Sequence, residues 1–307
     1  YQPAAFYTAL LNHQPMGFWS PAVLVGDAKR HGLAVRPVDL HRSQAACRVE
    51  GAGIRLGFNY IDGFGEVAIA RLVAARQTRP FTNLTDLCRR TRLPKRLVEH
   101  LIMAGALDGI GLSRRKLLWA LGQLHYKEEA LDLLFPAGAV ELPPLTRAEA
   151  LRFEQGVMGL STGEHVLAHY RTRLTNQGIL GSWELAAQPG GQWVRVAGLV
   201  VVHQAPPTAK GFHFITLEDE AGLLDVIVNP RVYARYRTLL RSEPLLIVTG
   251  TVQQEGGVTK LLAQPVSLSD YSQSLRLYKK TSGAGRNAPE AVPYSPAQPF
   301  QKKFRQA

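Results

Sequence analysis

The sequence predicts an α+β chain of several domains, a helical region followed by a five-stranded β-barrel. Three observations carry that expectation. Apolar residues make up 46% of the 307, a globular composition with enough length for two or three cores. Ahead of the break at Pro189-Gly190-Gly191, apolar positions recur mostly at helical spacing. Beyond it the spacing changes to two, in five short runs.

Residues 1–43 are expected to form two helices and a connector. Phe6, Leu10 and Leu11 mark one face of the first helix. Ser20-Pro21 supplies an N-cap and a first-turn proline for the second, and Gly32 the left-handed residue beyond its end. Residue 1 is Tyr and already lies inside an amphipathic pattern, so the chain is expected to be a piece of something longer. Residues 44–125 form the next domain. They are extended as far as 60, turning at Gly51-Ala52-Gly53, and then helical. The helices carry Ala68, Leu72 and Val73; then Phe81, Leu84, Leu87 and Cys88; then Leu97, Leu101 and Ile102, ending at Gly105; then Leu117, Leu118 and Leu121 after Ser113. Residues 126–190 are a linker punctuated by Pro136-Ala137-Gly138 and Pro143-Pro144, with helices near 147–155 and 165–177. Residues 191–270 hold strands at 193–204, 212–219, 223–228, 245–253 and 258–267, with a helix at 231–240. Five strands with a helix between the third and fourth is the order of an OB-fold barrel. The basic, Gly/Pro/Ser/Gln-rich stretch 271–307 is expected to be a disordered tail.

Lys and Arg number 36 against 24 Asp and Glu, a formal charge of +12. Such an excess favours polyanionic partners. No apolar run has the length of a membrane span and no signal peptide opens the chain, so no membrane partner and a cytoplasmic location are expected. Cys47 and Cys88 stand alone and are expected to be small buried hydrophobes. His165 and His169 have zinc-like helical spacing but lack a third ligand, and Glu218-Asp219-Glu220 precedes Ala221-Gly222 as a polar turn. No Asp-x-Asp pair, Walker loop or nucleophile elbow is present. No metal, cofactor or catalytic site is therefore expected in this chain.

Two constellations point to nucleic acid. Ile61-Asp62-Gly63-Phe64-Gly65, ahead of Ala68, Leu72 and Arg76, is a helix-hairpin-helix pattern. Two glycines at a helix start let backbone amides approach a phosphate. Gly63, Phe64, Gly65 and Arg71 are the candidate duplex contacts, and the competing reading is a plain turn between helices. Glu66 sets a negative charge where phosphate would sit. In the barrel, Phe212 and Phe214 alternate with His213 and Ile215, and one of those faces is core. With the phenylalanines inside, His213 faces out, and Arg195, Lys210, His213 and Lys260 are the candidate single-strand contacts.

The residues resemble a known family. Tyr1 through Asn12 and Gln14-Pro15-Met16-Gly17-Phe18-Trp19-Ser20-Pro21 resemble the end of the fingers region in the alpha subunit of bacterial DNA polymerase III, in its error-prone, translesion branch. The likeness continues in order through Pro37-Val38-Asp39, the Gly-Phe-Gly hairpin, Met103-Ala104-Gly105-Ala106-Leu107-Asp108, Gly159-Leu160-Ser161-Thr162-Gly163-Glu164-His165, Val194 through Val200 and Thr216 through Gly222. It covers roughly residues 1–270. His165 is followed by Val where the family usually has Pro. The resemblance implies a fingers-like start, a hairpin on duplex backbone and a barrel on template single strand. It also implies a nucleotidyltransferase whose palm aspartates hold Mg2+, but no residue here matches that palm, so this chain alone is expected to be inactive. Ala130-Leu131-Asp132-Leu133-Leu134-Phe135 resembles a sliding-clamp peptide, with Leu131, Leu133, Leu134 and Phe135 as candidate anchors. The rival class is a stand-alone helix-hairpin-helix and OB module without polymerase activity. An anticodon-type barrel is a weaker third.

Overall fold

A computed structural model describes residues 2–17, 19–126, 131–132 and 141–264. The chain divides into two compact units, Tyr1–Arg171 and Thr172–Ala307.

In the first unit, helices α1 (Pro3–Asn12) and α2 (Pro21–Arg30) lead to strands β1 (Val35–Arg36), β2 (Arg48–Glu50) and β3 (Gly53–Arg55). The strands form a sheet in the order β1-β3-β2, with β1 parallel and β2 antiparallel to β3. Then come α3 (Glu66–Thr78), α4 (Leu84–Thr91), α5 (Lys95–Met103) and α6 (Arg114–Gln123), the short pair β4 (His125–Tyr126) and β5 (Leu131–Asp132), and α7 (Arg147–Met158). Side-chain caps set several starts. Ser20, Asn83 and Ser113 each accept a first-turn amide, and Thr146 and Glu149 form a capping box. On α1 the buried face is Ala4, Tyr7, Thr8 and Leu11, whereas Phe6 points outward. The face expected from Phe6, Leu10 and Leu11 is thus rotated by about one residue. Phe58, in a 3-10 turn ahead of the hairpin, is fully buried at the centre of this core. Burial of such a ring contributes roughly 1.5–3 kcal/mol.

In the second unit, α8 (Arg171–Asn176), β6 (Ile179–Leu180) and α9 (Ser182–Ala186) precede the barrel. The barrel strands are β7 (Trp193–Gln204), β8 (His213–Glu218), β9 (Leu223–Val228), β10 (Leu245–Glu255) and β11 (Val258–Ala263), with α10 (Pro230–Ser242) between β9 and β10. The order β10-β11-β9-β8-β7 closes through β10–β7 pairing, and β11–β9 is parallel. This is the closed five-stranded OB topology. Val194, Val196, Ile215, Leu217, Leu224, Val226 and Leu261 fill it. Leu240 on α10 joins the same core.

One irregularity decides which residues face out. The β7–β8 register shifts between Val200 and Val202. The extra residue, Val201, reverses the in–out alternation for the end of β7. His203 therefore lies opposite Ile215 on the core side, and Gln204 opposite Phe214 on the solvent side.

Candidate nucleic-acid interface

The hairpin is anchored from inside. Ile61 and Phe64 are buried on either side of Gly63, which takes φ +76°, a left-handed position open to glycine without strain. Phe64 N donates to Ile61 O at 3.1 Å and Gly65 N to Gly63 O at 3.0 Å, closing the turn. Gly65 then stands at the N-cap of α3 without a capping side chain. The first-turn amides of Glu66, Val67 and Ala68 thus have no side-chain acceptor, and among the described residues the Gly63 amide has none either. Uncapped amides at the positive end of a helix are a fit seat for an anion. The hairpin is also braced: Asp62 N donates to Val157 O at 2.8 Å, and His100 Nδ1 lies 2.8 Å from Asp62 O. An open groove runs between residues 59–65 and 155–159.

Two expectations at the hairpin need correcting. Phe64 is 5% exposed and its ring stacks on Phe58 at 6.2 Å, so its side chain belongs to the core and is not a DNA contact. The Gly65 amide is already hydrogen-bonded to Gly63, so what Gly65 offers is the absence of a side chain over the next amides. Glu66 is exposed beside them, a local opposing charge. Arg71 is exposed on α3, with no ion pair among the described residues.

The barrel corrects three more. His213 is half-buried and faces the core side: its Nδ1 lies 2.9 Å from His203 Nε2, and its ring stacks on Tyr233 at 3.4 Å. Burial first, and then the Arg241 charge, hold His213 below the usual histidine range; for His203, the His213 charge adds to burial ahead of Arg241. Both shifts favour the neutral rings, and the 2.9 Å approach suits a hydrogen bond from one ring to the other. His213 is therefore an internal strut. Arg195 is not its neighbour: it lies eight residues before His203, about 26 Å along the strand, and its guanidinium donates to the Gln177 carbonyl beside β6. The phenylalanine face is the outer one: Phe214 is 39% exposed, opposite Gln204 and Ile227.

On that outer face Thr216 donates to Asp225 Oδ1 at 2.9 Å, and Lys260 sits in register with Asp225. Phe214 and Lys260 are two strands and two residues apart, about 12 Å. An aromatic platform within a few nucleotides of a cation suits single-strand binding. Lys210 is exposed at the tip of the β7–β8 connection. Sequence reasoning gave α10 no role, yet its exposed surface carries Arg231, Arg235, Arg237 and Arg241 with no ion pair among the described residues. The available signal was four arginines and no acid in thirteen residues.

Among the described residues no three His, Cys, Asp or Glu are placed to hold a metal, and no helix is long and apolar enough to cross a membrane. Burial pushes the Cys47 thiol up to about 11. Asp219 is fully buried and caps its turn, accepting from Ala221 N and Gly222 N at 2.9 Å and from Ser182 Oγ at 2.6 Å. Leu131 lies in β5, whose backbone pairs with β4. Leu133, Leu134 and Phe135, and the whole 271–307 tail, lie outside the described residues.

Residues 32–117 match a family model described as a helix-hairpin-helix motif, and residues 194–278 one described as an OB-fold nucleic acid binding domain. Error-prone DNA polymerase 2 of Rhizobium meliloti is 36% identical over 93% of this chain and 28% of its own length. The error-prone DNA polymerases of Azoarcus sp. and Pseudomonas aeruginosa are each 40% identical over 86% of this chain and 26% of theirs. The chain thus spans about a quarter of the length of the curated relatives it matches.

Proposed function

The chain belongs to the error-prone branch of the bacterial DNA polymerase III alpha family, as its carboxy-terminal part, and from that premise we propose that it grips DNA for a polymerase whose chemistry resides elsewhere. The hairpin of the first unit takes a duplex phosphate on the Gly63 amide and the first turn of α3. The outer face of the barrel takes template single strand, with bases on Phe214 and phosphates on Lys260 and Lys210. The observation that carries this reading is the uncapped α3 N-terminus behind the Gly63 turn. Two-metal nucleotidyl transfer needs clustered carboxylates, and we propose that these and their Mg2+ belong to the family's palm domain and not to this chain.

The test is fluorescence anisotropy of the chain with duplex, single-stranded and primer–template DNA, beside primer extension with Mg2+. We expect salt-dependent binding of all three, with little sequence preference and no extension. Binding insensitive to salt would oppose the reading, and so would extension by the pure chain. A cytoplasmic location accompanies it. Leu131, Leu133, Leu134 and Phe135 remain our candidate anchors for a sliding clamp. Titration of a 126–140 peptide against the clamp tests this: Phe135→Ala should remove at least ~1 kcal/mol of binding, and no binding by the parent peptide removes the assignment.

A further inference from the structure

The small sheet of the first unit draws four arginines around one carboxylate. Arg55 is buried and binds Glu50 through two nitrogens, Nε at 3.0 Å and Nη2 at 2.7 Å. Arg48 follows at 3.4 Å, Arg42 at 3.5 Å and Arg36 at 3.9 Å. Strand register explains the crowding. Arg36 lies directly opposite Arg55, and Arg48 opposite Arg55 on its other side, so three arginines form one row across three strands. Like charges facing each other across a sheet are destabilising. Arg55 makes the two shortest bonds to Glu50 and Arg42 and Arg48 add longer ones, while the side chains of Arg36, Arg42 and Arg48 remain 45, 63 and 43% exposed.

The neighbourhood does not neutralise them. Arg76 of α3 donates to Leu40 O at 3.0 Å and lies close enough to Arg48 for their charges to oppose. Asp39 is nearby, but one of its carboxylate oxygens accepts the amides of His41 and Arg42, both at 2.8 Å. Five guanidiniums thus face two carboxylates, an excess of three positive charges. A guanidinium fork matches phosphate oxygens in pairs, and Glu50 holds several forks in one place.

We propose that Arg36, Arg42 and Arg48 form a phosphodiester-binding site, a second contact to duplex backbone on the unit that carries the hairpin. The duplex partner rests on the function proposed above; the site itself rests on the arginine row. Arg76, which neighbours Arg48, lies eleven helical steps after Gly65 along α3, about 16 Å of helix. That is roughly five phosphate steps of 3.4 Å along one strand, so one duplex spans both contacts.

The experiment is anisotropy of the full chain with a 20-base-pair duplex between 50 and 200 mM salt, comparing the parent with an Arg42→Gln/Arg48→Gln double variant. Loss of two phosphate contacts should flatten the log–log salt slope by about 1.8, equally for two unrelated sequences. The Arg42→Lys/Arg48→Lys pair, which keeps charge without the fork, should hold the parent slope with weaker affinity, and remains informative if the Gln pair folds poorly. Parent-like affinity and slope in a folded Gln pair would overturn the site, as would parent-like affinity in the Lys pair. Gly65→Val measured alongside separates the two contacts. If it weakens binding while the Gln pair does not, the row is overturned and the hairpin stands. If only the Gln pair weakens binding, the row stands and the hairpin falls.

Discussion

Gly65→Val is the sharpest probe of the hairpin, because stability and binding separate there. A Cβ at Gly65 meets no atom within 4 Å, and the backbone lies at φ −78°, open to any residue. The fold should lose only the N-cap preference for glycine over valine, about 1 kcal/mol. For a unit of this size that is a melting shift of roughly 2–4 °C. The valine methyls stand beside the amides of Glu66 and Val67, where a phosphate must approach. Each charge-assisted hydrogen bond to that phosphate contributes about 1.5–3 kcal/mol, so losing one should weaken duplex binding roughly ten- to a hundred-fold. Gly63→Ala is the contrast. At φ +76°, with Leu97 Cδ2 only 3.3 Å from the new Cβ, it should destabilise the unit by about 1–2 kcal/mol through the backbone. Anisotropy with two unrelated duplexes, beside thermal melts, reads both quantities. A Gly65→Val chain that melts within those limits and binds duplex like the parent would refute the reasoning.

Phe214→Ala should weaken single-strand binding by about 1–3 kcal/mol with the salt slope unchanged; a changed slope, or no loss, would place the strand on another surface. Arg114 donates to Glu154 at 3.0 Å and to Asp108 at 2.8 Å from a mostly buried position. Arg114→Met leaves the buried Glu154 carboxylate its Ser161 Oγ hydrogen bond at 2.5 Å but no guanidinium, and should cost about 3–5 kcal/mol in urea unfolding; a value under about 1 kcal/mol would show that the guanidinium is not what holds this charge. The His203–His213 pair predicts a pH dependence. Both groups are held below the usual value of 6.5 in the fold, so the unfolded chain binds more protons as pH falls below 6.5. Barrel stability should therefore decline below that pH, by at most about 1.4 kcal/mol per pH unit for each proton. His213→Phe keeps a ring on Tyr233 and should reduce that decline; an equally steep decline in the variant would assign it to other groups.

The local chemistry of this chain was legible, and its long-range register was not. Ser20-Pro21, Gly32 and the five alternating runs announce helix ends and strands through short-range sterics and burial, and they appear close to where those rules put them. Period-two alternation on 212–215 does not say which face is core, because both faces carry apolar side chains; Ile215 and Leu217 take the inside, His213 shares their face, and Phe214 lies outside. Phe64 sits between two exposed glycines in a motif that binds through backbone, yet its side chain is what fastens the turn to Phe58. The arginines at 36, 42, 48 and 55 are scattered in sequence and meet only through the pairing of β1, β3 and β2.

Strand β6 carries a practical consequence. The first half of β7 pairs with β10 on one side, while β8 pairs only with its second half. On the open side β6 runs parallel to it, Ile179 beside Arg195 and Leu180 beside Val196, pinned by the Arg195–Gln177 contact. A recombinant barrel started at residue 191, where the composition breaks, would strip that cover and leave bare strand backbone for another molecule to join. Starting the same barrel upstream of Gln177 keeps the edge shielded and spares the preparation from self-association.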